Sequence, residues 1–273
     1  MNNSFKFFIQ NTDLKYKNYL KSLSEYPEII SIYETEDPSD RENSWIEFAK
    51  KQDEQFFEKV ANPFYIGFGN PQSDILIIGK ESGYNYDTNE YKQFYKESVN
   101  NIKNWEMTLI KDQIIYNLYP ERKKLPSSHT WSYYKAIVER LMNIDIQDNA
   151  SFLDHCFITE INHVPSKTSK GRRTVLNRDS YPLRKDFLKD DFFKQFKYII
   201  NTAKAYETIG LTEELFDVEY ISKEHIGSNR KIESFYFRKE NRSAVVTCQM
   251  SGSTRGLTTD SINKLCDRLK GKM

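Results

Sequence analysis

The sequence predicts an α/β fold: a three-layer α/β/α sandwich with a mainly parallel central sheet, preceded by N-terminal helices. Two observations lead there. Residues 75–78 (Ile-Leu-Ile-Ile) are apolar without alternation, the pattern of a parallel strand buried on both faces. Further strand-like runs recur at 156–161, 198–200, 216–221, 234–237 and 244–248, separated by helical stretches, and that alternation is the signature of a parallel sheet covered by helices.

The elements can be read in order. Tyr16, Tyr19, Leu20 and Leu23 recur at helical spacing and mark a first amphipathic helix. Asp37-Pro38 signals the start of a second, an N-cap followed by proline in the first turn. Its apolar face is expected to run through Trp45, Phe48, Ala49, Phe56 and Val60. Residues 1–61 therefore read as a helical extension packed on the core, and 62–273 as the α/β domain. After the 75–78 strand comes an aromatic, polar region from Tyr84 to about Asn101, expected as a long loop with helix. Tyr134, Ile137, Val138 and Leu141 mark a helix starting near Ser128 or Thr130, and Ile262, Leu265, Cys266 and Leu269 mark the last one.

Composition narrows the function classes. The 273 residues suffice for one large core, and 18 Tyr and 18 Phe against ten Gly do not describe a disordered chain. A net charge of +1 means that nucleic-acid binding has to come from a local patch. Cys156, Cys248 and Cys266 form no CxxC pair, which argues for a reducing compartment and against a disulfide framework, zinc or an iron–sulfur cluster. Without a signal-peptide pattern or an apolar run of membrane length, the expectation is a cytoplasmic protein with no membrane or metal partner. No serine sits in a G-x-S-x-G elbow, so serine-hydrolase chemistry is not indicated.

The chemistry is expected where the first buried strand ends. Gly79-Lys80-Glu81-Ser82-Gly83 follows it directly, and α/β sheets place ligands at the carboxyl ends of their strands. Gly79 and Gly83 permit a tight backbone there, and Glu81 is either a catalytic acid or a helix-capping one. Residues 162–184 are basic and loop-like, with Lys167, Lys170, Arg172, Arg173, Arg178 and Arg184 around Gly171: either a solvated loop or an arm for phosphates.

Three pieces line up in one order: the Gly69-Asn70-Pro71 turn, strand and 79–83 motif; the strand that leads into Asn162, His163 and Pro165; and Gln249-Met250-Ser251-Gly252-Ser253 before the last helix. Together, over about residues 62–270, they resemble the uracil-DNA glycosylase superfamily. The lead-in is most similar to branches that carry a GNP turn before the strand and a GEAPG-like motif after it. The resemblance implies base flipping followed by hydrolysis of the N-glycosidic bond in single- or double-stranded DNA, with no cofactor. It implies Glu81 as the group that positions water and Asn162 as the amide that reads the base edge; His163, next to Asn162, is either a structural histidine or a reserve for electrostatic help. It places Lys80, Ser82, Tyr84 and Tyr86 around the base, and Ser251, Ser253, Thr254 and Arg255 on phosphates or the minor groove. Two departures stand out. Lys80 occupies the place of the GEAPG acid, and Gln249 stands where the family commonly has histidine, so the catalytic donor to the leaving base is neutral. The alternatives are a non-catalytic nucleic-acid-binding protein that keeps the fold, and an enzyme acting on free nucleosides or nucleotides.

Overall fold

A computed structural model of the chain describes residues 3–80, 90–111, 129–147, 151–165, 178–206, 209–227, 232–250 and 257–271. Its residues cluster into two compact units. One takes the described residues of Met1–Ile66, Glu81–Ile115 and Asn162–Phe187; the other takes those of Gly67–Lys80, Tyr116–Ile161 and Leu188–Met273.

The first unit is helical: α1 (Asn3–Ser22), α2 (Glu28–Glu34), α3 (Pro38–Ala49), α4 (Glu54–Val60), α5 (Tyr91–Phe94), which runs into a π turn at Tyr95–Val99, and α6 (Asn101–Lys111). Most of the helix Tyr181–Leu188 belongs to it as well. Asp37 starts α3 as its residue type predicts, its carboxylate accepting from the Ser39 and Asp40 amides at 2.9 Å. The apolar face expected on one helix is divided between two. Asp53 accepts from the Phe56 amide at 3.1 Å and so starts a new helix, which leaves Trp45 and Ala49 on α3 and Phe56 and Val60 on α4. Buried rings fill the interior: Trp45 stacks on Phe56, Phe94 and Tyr95, and Tyr16 meets Tyr33 edge-on. Their polar tips are satisfied, Tyr16 Oη donating to the Val60 carbonyl and Trp45 Nε1 to that of Tyr91.

The second unit is built on a seven-stranded sheet in the order β1-β3-β2-β4-β7-β6-β5. The strands are β1 (Phe68–Gly69), β2 (Ile75–Gly79), β3 (Phe157–Glu160), β4 (Tyr198–Asn201), β5 (Glu219–Ile226), β6 (Ile232–Lys239) and β7 (Arg242–Val246). The four central strands, β3-β2-β4-β7, are parallel, as the unbroken apolar run at 75–78 requires. The sheet as a whole is mixed: β1 is antiparallel to β3, and β5, β6 and β7 form an antiparallel meander. The strand expected at 216–221 starts later. Phe216 closes the helix Ile209–Phe216, Asp217 turns the chain with φ +49°, and β5 begins at Glu219.

Glycine fixes how β1 joins the sheet. Gly67 (φ +116°) and Gly69 (φ +95°) lie so close to β3 that an added Cβ would stand 2.1 Å from the Ile158 carbonyl oxygen and 2.4 Å from that of Cys156. Asn70 then ties this corner together. Its backbone N–H donates to the Leu153 and Cys156 carbonyls, and its Nδ2 donates to that of Asp154 at 2.7 Å. The Gly-Asn-Pro turn is thus a staple at the amino end of β2, the end opposite Gly79.

Helix α7 (His129–Met142) buries Tyr134, Ile137, Val138 and Leu141, the stripe read from the sequence. The C-terminal helix Thr259–Leu269 opens on a capping box between Thr258 and Ser261 and buries Ile262, Leu265, Cys266 and Leu269. The Arg140 guanidinium bridges from α7 to Asp267 at 3.0 Å. Elsewhere in the unit the Phe157 ring of β3 packs on Phe192 and Phe196. Among the described residues no helix is long and apolar enough to cross a membrane.

Candidate functional site

Four parallel strands deliver their carboxyl ends to one edge of the sheet, and the side chains there fall into two sets by the pleat. In register, Ile78 of β2 pairs with Asn201 of β4, and Asn201 with Val246 of β7, so these three share a face. Just past the ends of β2 and β7 stand Lys80 and Cys248, near enough for the Lys80 charge to act on the thiol. Thr202 and the register pair Gly79–Glu160 belong to the opposite face.

On the Thr202 face the hydrogen-bond roles are determined. Thr202 Oγ1 spends its hydrogen on the Ile78 carbonyl at 3.0 Å, so the buried Tyr134 hydroxyl, also at 3.0 Å, is the donor to Thr202. Burial, chiefly, pushes the Tyr134 hydroxyl up to about 12, with a further contribution from the Glu160 carboxylate, so this phenol stays protonated. A Cβ on Gly79 would meet Tyr134 Oη, Glu160 Cγ and the Thr159 carbonyl at 3.7–3.8 Å, ordinary contact, and Gly79 has no positive φ. The tight backbone expected at Gly79 is absent; that conformational demand falls on Gly67 and Gly69 instead.

Past the ends of β2 and β4 the charge is positive. Lys80 Nζ lies 5.6 Å from the Tyr206 ring centroid and Lys204 Nζ 4.9 Å from that of Phe235. Lys204 is paired with the Glu233 carboxylate, which also takes Lys223 at 3.1 Å. Those lysines hold the Glu233 carboxyl down at about 2. Burial raises the Cys248 thiol above its ordinary range, although Lys204 and Lys80 pull the other way, so it is neutral and no ready nucleophile. Gln249 is exposed, three residues beyond β7.

Asn162 and His163 belong to the first unit, two and three residues past the end of β3. The Asn162 side chain is buried and closes an Asx turn: Oδ1 accepts from the Val164 amide at 3.2 Å, Nδ2 donates to the Val164 carbonyl, and Arg178 Nη1 donates to Oδ1 at 2.9 Å. His163 Nε2 meets Ser180 Oγ at 2.9 Å. Burial, then the Arg184 and Arg178 charges, hold this imidazole well below its usual range, so it is neutral. Ser180 lies on the wall of a cavity of about 550 Å³ that Tyr19, Tyr26, Glu58 and Arg178 also line. The pair does not amount to a serine nucleophile, because a general base would have to become a cation beside two guanidinium groups.

Glu81, Ser82, Gly83, Tyr84, Tyr86, Lys167, Arg172, Arg173, Ser251, Ser253, Thr254 and Arg255 lie outside the described residues. Asn201, Lys204 and Glu160 terminate or follow strands much as Lys80 and Asn162 do, but no motif of the sequence points to them. A strand-ending polar residue after a buried apolar run was the available signal. Among the described residues no group of His, Cys, Asp and Glu is placed to hold a metal ion. No family model matches the sequence, and no curated protein or solved structure matches it significantly.

Proposed function

We propose that this chain is a uracil-DNA glycosylase-like hydrolase that cleaves the N-glycosidic bond of uracil or another deaminated base in DNA, and that its second unit is a three-layer α/β/α sandwich. One observation carries the reading. The first and third motifs of the resemblance leave the same edge of contiguous parallel strands, at Gly79 after β2 and at Gln249 after β7, on either side of β4. That is the edge where a doubly wound sheet offers its crevice. The second motif follows β3 by two residues. The sandwich is supported by α7 bonding Thr202 on one face and by the Phe192 and Phe196 rings meeting Phe157 of β3.

In the proposed reaction Glu81 orients a water molecule and takes its proton as the water oxygen bonds to C1′. The N-glycosidic bond breaks with its electrons passing to the base, and the Gln249 amide donates to the base as negative charge develops there. No cofactor enters. Reading a base through Asn162 calls for exchange of the two hydrogen bonds that its Oδ1 now accepts. That engagement, with the neutral donor at 249, favours a second reading, a nucleic-acid-binding protein without catalysis. Oligonucleotides carrying uracil, hypoxanthine or xanthine, treated with alkali to reveal abasic sites, separate the two. Cleavage lost in Glu81→Gln and in Asn162→Ala supports the enzyme; salt-dependent binding with no abasic product supports the binding protein.

A further inference from the structure

We propose that Asn201 and Lys80 form an oxyanion subsite at the carboxyl edge of β4, whose ligand is the phosphate of a nucleotide unit. The inference rests on the reading of this edge as the ligand crevice, but not on catalysis there.

Asn201 is 1 % exposed, and its Oδ1 accepts from the Ala203 N–H at 2.9 Å. That bond fixes which end of the amide is oxygen and leaves Nδ2 as the end that must find an acceptor. Among the described residues Nδ2 has none. A buried amide donor without an acceptor is costly, and most buried polar groups in native structures find a partner in protein, water or a ligand. At the same edge, one residue past the end of β2, stands the half-buried Lys80, which no carboxylate pairs among the described residues. Lys204 differs, being committed to Glu233. Glu160 belongs by register to the face opposite Asn201, and the Cys248 thiol is neutral, so neither sets a negative charge beside Nδ2. The groups that remain are one neutral donor and one ammonium, a combination that suits a phosphate oxygen and repels cations.

The test measures binding, not turnover. Thermal unfolding of the full chain is followed with inorganic phosphate, with 2′-deoxyuridine 5′-monophosphate and with a single-stranded oligonucleotide, each against chloride at equal ionic strength. The expected result is stabilisation of the wild type by at least one of the three. Lys80→Gln, a change outside the core, should weaken that ligand's binding about tenfold. If the oligonucleotide is the ligand, Lys80→Gln should also lower its salt slope by about one. Asn201→Asp should abolish the response, since it replaces the donor by a carboxylate, and Asn201→Ser should weaken it if the aspartate variant does not fold. A response to the mononucleotide alone assigns the subsite to free nucleotides, and a response to the oligonucleotide assigns it to a phosphodiester; both support it. Indifference of the wild type to all three, or an equal response in Lys80→Gln, overturns it. Abasic product from a Lys80→Gln protein with unchanged binding would sink the subsite and spare the glycosylase. Phosphate binding without product would do the reverse.

Discussion

Above the carboxylate range, acidification should destabilise this protein chiefly through His163. The imidazole is 3 % exposed, contacts Ser180 Oγ through Nε2, and has its Nδ1 buried with no hydrogen-bond partner among the described residues. Burial first, then the Arg184 and Arg178 charges, depress its pKa well below 6.5. The unfolded chain restores a value of about 6.5. Below that pH the unfolded state takes up a proton that the folded state refuses, so the stability present above the unfolded pKa is lost as the pH falls through it. At about one pH unit below 6.5 the loss is ~1.4 kcal/mol, and each further unit adds about as much until the folded pKa is reached. Urea unfolding followed by tryptophan fluorescence, at about pH 7.5 and about pH 5.5, measures it. His163→Gln keeps an amide for Ser180 and removes the titration. It should be less stable than wild type at the higher pH but lose ~1.4 kcal/mol less on acidification. An equal loss in the two proteins would refute the argument, since the remaining histidines and carboxylates are common to both.

Other expectations follow from single positions. Gly67→Ala forces a Cβ to within 2.1 Å of the Ile158 carbonyl oxygen at a φ of +116°, and should cost more than ~2 kcal/mol in urea unfolding. Gly79→Ala meets only ordinary contacts and should stay within about 1 kcal/mol of wild type in the same assay. Asp37→Ala removes the acceptor of two amides at the start of α3 and should cost ~1 kcal/mol, with a matching fall in Tm. Tyr134→Phe takes the donor from Thr202 while Thr202 keeps its bond to the Ile78 carbonyl, so a loss of ~1 kcal/mol is expected from denaturant unfolding.

Much of the fold was legible because the determinants were local. The run at 75–78 announced a strand with neighbours on both sides, and it is the second strand of a parallel centre. Asp37-Pro38 announced a helix start, and the Asp37 carboxylate caps it. The stripes on α7 and on the last helix were correct to the residue. The differences arose where two local signals competed, where a short connection was overlooked, or where a contact came from far along the chain. Apolar spacing carried one helix across 50–53, whereas Asp53 as an N-cap ended that continuity. The antiparallel run of β5, β6 and β7 is carried by their connections, five and two residues long and too short for a parallel crossover, and not by residues inside the strands. Gly79 drew attention by its place at the end of a strand, yet the need for glycine lay at 67 and 69, and it exists only because Cys156 and Ile158, just before and within β3, pass within contact.

The site divides in the same way. Its general position, the carboxyl edge of buried parallel strands, follows from the sequence, since alternating strands and helices can close a sheet in few ways. Which side chains share a face there is a matter of register between strands far apart in the chain, and only the folded sheet sets Asn201 between Ile78 and Val246. The state of each group was likewise a tertiary outcome. Asn162 bonds its own turn, His163 is held neutral by burial and two guanidinium groups, and Asn201 Nδ2 is buried without an acceptor among the described residues. Residue type supplies the donors and charges; desolvation and neighbours brought from elsewhere in the chain decide which of them remain available for chemistry.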